Sequence, residues 1–420
     1  MLRRIALLLS CVCVLSGGPA PCADAPPLED GPSLVRTVYR LADQRLALMP
    51  AVAAAKWSTG APIHAPDREA QVIASVGQRA EQLGLDPQPV RELFALQIRL
   101  ANELQERLIG AWSAGAAPPV GPPPALATEL RPQIDRIGNQ FVEALYLAAP
   151  YVATQGSDAG RGVLDPDRFT DADRDALERA IARVRLASPA SLERARQAGV
   201  LRVGLPADYA PFAFFDSDRL AGSDVALTGL IARSLGLRPV YIRTAWGRLL
   251  DDLAKDRFDL AAGGISVTAT RATVGTFSTP VARGGKTALG RCSDRARFGS
   301  DAQIDRPGVR VIENSGGTNE QFARRHLTQA TLLLHPDNTT IFEELVGERA
   351  DVMYTDDLEI ERLVRRETRL CRLTGEVFEP ADKALLAPRD SGFAEAADRW
   401  LASPEAQGVP ARLLEDATHH

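Results

Sequence analysis

Residues 33–57 read SLVRTVYRLADQRLALMPAVAAAKW. Steps of three and four along this run gather Leu34, Val38, Leu41, Arg45, Met49, Val52 and Lys56 on one helical stripe. Five of the seven belong in a protein core and two are cations. A buried cation without a partner is costly, so Arg45 and Lys56 either reach out to water or hold an anion between them. The run therefore specifies a helix with a chemical face. Ser33 can cap its start, and Pro50 can kink it.

The helical signal continues outward from this stretch. TGAPIHAP (59–66) breaks the chain, and a second helix is expected from Asp67 to Leu83. A third should run from Pro87 to Trp112, with proline in its first turn. AGAAPPVGPPPA (114–125) reads as a link, and a fourth helix follows over about 126–147. Residues 31–155 thus form an all-helical domain. Residues 156–190 are rich in Asp and Arg and hold a linker with a connecting helix.

From 191 to 415 the pattern changes. LRVGL (201–205), PVYIRT (239–244), FDLAAGGI (258–265), GVRVIE (308–313), ATLLLH (330–335) and ADVMYT (350–355) read as short buried strands. Helical segments at 223–235, 246–256, 318–328, 339–347 and 356–365 separate most of them. Such alternation predicts mostly parallel sheets in an α/β domain, with length enough for two lobes. The expected fold class is multidomain, all-α and then two-lobed α/β.

The first 25 residues, MLRRIALLLSCVCVLSGGPAPCADA, have a basic start, an apolar run and a small-residue exit. This predicts a secretory signal cleaved between Ala20 and Ala25, its apolar core too short to span a bilayer. No later segment is apolar enough to cross a membrane. Export predicts a periplasmic protein in which Cys292 and Cys371 make one possible disulfide. The other three of the five cysteines, Cys11, Cys13 and Cys22, fall in the signal. A net charge of −5 gives no basis for a nucleic-acid partner. Lys56, Lys255, Lys286 and Lys383 are the only lysines among 49 basic residues, so each is an unusual choice of a compact point charge over a planar fork.

QRLALMPAVAAAKW, PIHAPDREAQV, FALQIRLANELQ and LRPQID, taken together over residues 33–150, resemble the all-helical chorismate mutases, especially the secreted type. The resemblance implies that Arg45 and Arg131 bind the substrate carboxylates and Arg68 orients the ligand. Lys56 and Gln105 would bracket the ether oxygen, and Glu69 would accept a hydrogen bond from the hydroxyl. Chorismate is a dianion, so the anion expected between the cations of the stripe is the substrate. Ala65 and Ala101 depart from the pattern, where some members carry an acid and a hydroxyl. Members of this type are often dimers, which implies a homodimer through the helical domain.

The second half is similar to the periplasmic solute-binding proteins for polar amino acids, on LRVGLPADYAPFAF, DRFDLAAGGISVTATR and ADVMYTDD. GGKTALGRCSDRARF, NSGGTNEQFAR, LLHPDNTTIF, YTDDLE and ADKALLAPR narrow the likeness to the cyclohexadienyl dehydratases, a catalytic offshoot. The binding-protein pattern implies that Tyr209 and Trp246 wall a cleft and Asp356 faces an amino group. Arg271, Thr318, Asn319 and Lys383 would hold carboxylates, while Lys286 is open between a structural and a functional role. Glu359 would be the acid that protonates a leaving hydroxyl, and Cys292 and Cys371 fall where the dehydratases have cysteines. The two resemblances imply a bifunctional enzyme passing chorismate through prephenate to phenylpyruvate, with arogenate to phenylalanine as an alternative second step, and with no cofactor or metal. The competing reading is a sensory or amino-acid-binding module fused to a mutase, in which Glu359 has no use.

Overall fold

The computed structural model describes residues 27–419; the expected signal, with Cys11, Cys13 and Cys22, lies outside them. A two-residue strand, β1 (Leu28–Glu29), precedes the helices. The Asp30 side chain accepts a hydrogen bond from the Ser33 N–H at 2.7 Å, so the cap of the first helix is Asp30 rather than Ser33. The expected single kinked helix is two: α1 (Gly31–Ala47) and α2 (Met49–Thr59), divided at Leu48. Pro50 then lies in the first turn of α2, where a missing N–H is tolerated. Next come α3 (Pro66–Gln82) and α4 (Pro87–Ser113), close to expectation.

A π-type turn over Leu126–Leu130 leads into α5 (Arg131–Gly160), which runs well past the end expected near 147 and past residue 155. The helices bury one core, in which Leu34, Val38 and Leu41 of α1 pack with Phe94 of α4 and Phe141 and Leu145 of α5. Two further helices, α6 (Asp171–Ala182) and α7 (Leu192–Ala198), lead to the sheets.

One lobe starts with β2 (Val200–Leu205), the hairpin β3 (Phe214–Asp216) and β4 (Arg219–Ala221), α8 (Ser223–Ser234) and β5 (Arg238–Arg243). It continues through α9 (Leu249–Ala254), β6 (Leu260–Ala261), α10 (Ala269–Ala272) and β7 (Gly275–Phe277). The chain then builds the second lobe from β8 (Ala282–Arg291), α11 (Asp301–Ile304), β9 (Arg310–Asn314), α12 (Thr318–His326), β10 (Thr331–His335) and α13 (Ile341–Val346). That lobe ends with β11 (Val352–Asp356), α14 (Asp357–Arg366), β12 (Leu370–Arg372) and β13 (Pro380–Lys383). The chain returns to the first lobe at β14 (Leu386–Pro388), and α15 (Phe393–Leu401) and α16 (Val409–His419) close the fold.

The first sheet has the order β1-β5-β2-β6-β14-β7, parallel from β1 to β6 and antiparallel at β14 and β7. The second has the order β10-β9-β11-β8-β12, with β10, β9 and β11 parallel and β8 antiparallel. Where a strand over 258–265 was expected, only Leu260–Ala261 pair. Trp246 precedes its helix, which begins at Leu249.

The two halves share structure. Leu28 and Glu29 pair with Tyr241 and Ile242 at the edge of the first sheet. Tyr146 and Tyr151 of α5 lie under the guanidinium groups of Arg202 and Arg257, at 5.4 and 5.1 Å from the ring centroids. Arg202 is fully buried and pairs with Asp259 at 2.6 Å, while Arg194 pairs with Asp256 at 2.6 Å. The lobes touch at two glycines: a Cβ on Gly316, whose φ is +83°, would stand 2.7 Å from the Gly247 Cα.

Candidate active sites

The face that opened the sequence lines a cavity of about 220 Å³ among the helices. Arg45, Lys56, Arg68, Glu69, Gln105 and Arg131 all reach it, so every residue expected at the first site is present in one place. Arg45 is buried, donates to the Ile134 carbonyl at 3.2 Å and lies 4.9 Å from the Phe94 ring centroid. Burial lowers its pKa to about 10, partly offset by Asp135. Burial also lowers that of Lys56, against the pull of Glu69 and with the push of Arg131. The Lys56 ammonium donates to the Ile63 carbonyl at 2.6 Å, and both residues line the cavity.

Glu69 Oε1 accepts from the Ala65 N–H at 3.2 Å and from Asn102 Nδ2 at 3.1 Å. Gln105 Nε2 donates to the Ala101 carbonyl at 2.9 Å, leaving Oε1 buried and without a partner. Two polar residues were missed. Asp135 pairs with Arg68 at 2.8 Å, and Asn102 fixes Glu69. Both were within reach of helical spacing, since Asp135 is four residues after Arg131, and Asn102 three before Gln105. The lining carries four cations and two carboxylates, a surplus of two positive charges.

The second site lies between the lobes, in a cleft closed down to about 20 Å³. Tyr209, Trp246, Thr318, Asn319, Asp356 and Lys383 line it, as expected, together with Ser266, Asn314 and Asn338, which were missed. Arg271 and Glu359 stand behind the lining. Arg271 donates to the Ser266 carbonyl at 2.9 Å and sits 5.8 Å from the Trp246 ring centroid. Burial lowers its pKa to about 10, against the pull of Asp356 and Tyr209.

Asp356 is the centre of this site. It ends β11, and antiparallel pairing sets it opposite Lys286 of β8. Its carboxylate accepts from Lys286 Nζ at 3.1 Å, from Lys383 Nζ at 2.7 Å and from the Tyr209 hydroxyl. Burial pushes its pKa up, but the two lysines and the phenol outweigh that and hold it well below the usual range. Asp356 is therefore already satisfied by three donors. Lys286, open in the sequence, is buried against Asp356 and does not itself line the cleft. Burial lowers the Lys383 pKa to about 8, partly offset by Asp356.

Glu359 is buried and bonded to the Thr355 hydroxyl, which also accepts from Asn319 Nδ2 at 3.3 Å. Burial raises its pKa to about 8; Asp356 and Asp208 add to the rise, while Thr355 and Lys286 oppose it. A second acid, Glu313, is fully buried, and burial raises its pKa too. No spacing signal marked it, since its strand looks like any core strand. Cys292 and Cys371 are bonded, with Cα atoms 4.9 Å apart, and join the end of β8 to β12.

A two-lobed α/β fold with a cleft between the lobes is the architecture of extracellular binding proteins. The chain belongs to the bacterial extracellular solute-binding proteins of family 3, which its residues 201–416 match, and it carries a type II chorismate mutase domain matched over residues 36–106. It is 42% identical over 231 residues to the cyclohexadienyl dehydratase of Pseudomonas aeruginosa, covering 54% of this chain and 86% of that protein. It is 31% identical over 146 residues to the secreted chorismate mutase of Mycobacterium tuberculosis, covering 33% of this chain and 73% of the relative. An ancestral amino acid-binding protein described as a precursor of cyclohexadienyl dehydratase superposes with a TM-score of 0.51 at 26% identity, covering 54% of this chain and 99% of its own. Among the described residues no helix is long and apolar enough to cross a membrane.

Proposed function

We propose that the protein is a bifunctional enzyme of phenylalanine biosynthesis that rearranges chorismate to prephenate and converts prephenate to phenylpyruvate. The observation that carries the first step is the surplus of two positive charges in the helical cavity, matched to a dicarboxylate. In the rearrangement the ether C–O bond breaks as a C–C bond forms, and no proton moves. The site has only to hold the reactive conformer and stabilise charge growing on the ether oxygen. Arg45 and Arg131 take the carboxylates in this reading, Arg68 orients the ligand, Lys56 and Gln105 flank the oxygen, and Glu69 takes the hydroxyl.

Glu359 carries the second step. A carboxyl with a pKa of about 8 keeps its proton near neutrality. It gives that proton to the leaving hydroxyl, which departs as water; the ring carboxylate leaves as CO2, and its bonding electrons complete the aromatic ring. One proton is consumed per turnover. Arg271, Thr318, Asn319 and Lys383 hold the carboxylates, and Tyr209 and Trp246 wall the ring. A pure receptor would gain nothing from a protonated buried acid beside its ligand.

The helical unit 31–155, the linker 156–190 and the two-lobed unit 191–415 divide the work. Export to the periplasm and a homodimer through the helical unit complete the reading. The identity with a secreted mutase and the extracellular family support export. The exposed Trp57, in edge contact with Trp112 at 6.2 Å, offers an apolar patch for the dimer. Purified protein given chorismate should release phenylpyruvate, and sedimentation should give the mass of two chains. Failure to consume chorismate, or accumulation of prephenate with no phenylpyruvate, overturns the corresponding half.

A further inference from the structure

Asn338 lies between β10 and α13 in the second lobe, is 4% exposed and lines the cleft. Its Nδ2 donates to the Asp208 carbonyl of the first lobe at 2.9 Å, and the Asp208 carboxylate in turn accepts from Trp246 Nε1 at 2.9 Å. A carbonyl can only accept, so this bond fixes which end of the amide is which. The other end, Oδ1, is buried with no donor. Among the described residues it is the one buried side-chain oxygen or nitrogen of the cleft lining left without a partner. Buried acceptors are normally satisfied, so an orphan in the wall of a binding cleft marks a bond that a ligand completes.

We infer that Asn338 is a substrate-binding residue that accepts a hydrogen bond from the ring hydroxyl of the substrate, the group that leaves. This rests on the dehydratase reading and deepens it. Prephenate offers carboxylate and ketone oxygens, all acceptors, and one donor, the hydroxyl. An oxygen that can only accept therefore has one match on the molecule. The placement is consistent, because Asp208, which Asn338 holds, is close enough to Glu359 to raise its pKa. With its hydrogen turned to Asn338, the hydroxyl presents a lone pair to Glu359, the orientation proton transfer needs. Asn338 thus selects the hydroxylated ring and orients the leaving group in one contact.

The test uses the full chain carrying Glu359→Gln, so that prephenate persists, and measures binding of prephenate and of its analogue lacking the ring hydroxyl. The Glu359→Gln chain should bind prephenate roughly tenfold or more tighter than the analogue, the scale of one matched hydrogen bond. Adding Asn338→Ala, or Asn338→Leu as a second variant, should remove that preference while leaving analogue binding near its starting value. Equal weakening of both ligands would reduce Asn338 to a latch between lobes and overturn the inference, as would a retained preference. Retained binding of the analogue reports that the cleft of each variant has folded. If the unsubstituted protein does not turn over prephenate, the dehydratase reading itself fails, a result separate from either outcome.

Discussion

Lys56 and Glu359 show how one side chain is set to its task by its surroundings. Lys56 is a cation in a partly dry cavity, held by the Ile63 carbonyl. Lys56→Ala should lower mutase turnover by roughly two to three decades, the ~2–4 kcal/mol typical of one lost transition-state contact. Dehydration of supplied prephenate should stay near wild type, because Lys56 lines a different cavity. Equal loss of both rates would sink the assignment of two sites. Glu359 is a buried acid behind the cleft, and its sign is the reverse of an ordinary carboxylate. The active form is the protonated one, so saturated dehydration should be flat below pH 8 and fall about tenfold per unit above it. Glu359→Gln should lower the rate by ~10²–10⁴ and leave only the alkaline loss that discharge of Lys383 causes. The mutase moves no proton, so its alkaline loss should follow only the discharge of Lys56 and Arg45, and Glu359→Gln should leave it unchanged; a dehydratase still at full rate at pH 10 would rule Glu359 out as the acid.

At the level of elements, the sequence announced helices far better than strands. Three-and-four spacing located α3 and α4 nearly to the residue, because an amphipathic stripe repeats over many turns. It missed the break at Leu48, since the stripe runs across the break unaltered. The ten-residue β8, ARGGKTALGR, was not read as a strand at all. Its three glycines, two arginines and one lysine hide a segment that is buried from Gly284 to Gly290. Its buried lysine is satisfied by a cross-strand acid, which no local pattern reveals. For the same reason Lys286 could not be assigned: its partner Asp356 lies 70 residues away. The mutase site was legible because most of it sits on helices with a period; the cleft needed family motifs. The bond between Cys292 and Cys371 closes a long loop, with a sequence separation of 79. Closing such a loop commonly contributes about 2–4 kcal/mol. Reduction should therefore lower the temperature at which dehydratase activity is lost and leave the mutase midpoint in place. Identical midpoints with and without reductant, or two free thiols in the unreduced denatured protein, would contradict the bridge's role.

Across the whole molecule, the helical half and the first lobe share a sheet edge and ring contacts. The pairing of β1 with β5 and the stacking of α5 tyrosines on Arg202 and Arg257 bind them. Arg202→Met should leave Asp259 buried against a lost partner, a change that commonly costs ~3–5 kcal/mol. Because Arg202 also stacks on Tyr146, heat inactivation of both activities should move down together. A shift confined to dehydration would mean that the halves are independent. The narrow cleft adds a temporal consequence. The free space between the lobes is only about 20 Å³, so dehydration is expected to require the lobes to part and close again. The helical cavity is more than ten times larger, so the mutase is not expected to need such a motion. Glycerol or sucrose should thus act as a drag on one activity alone, slowing phenylpyruvate formation in proportion to viscosity while prephenate is made at an undiminished pace.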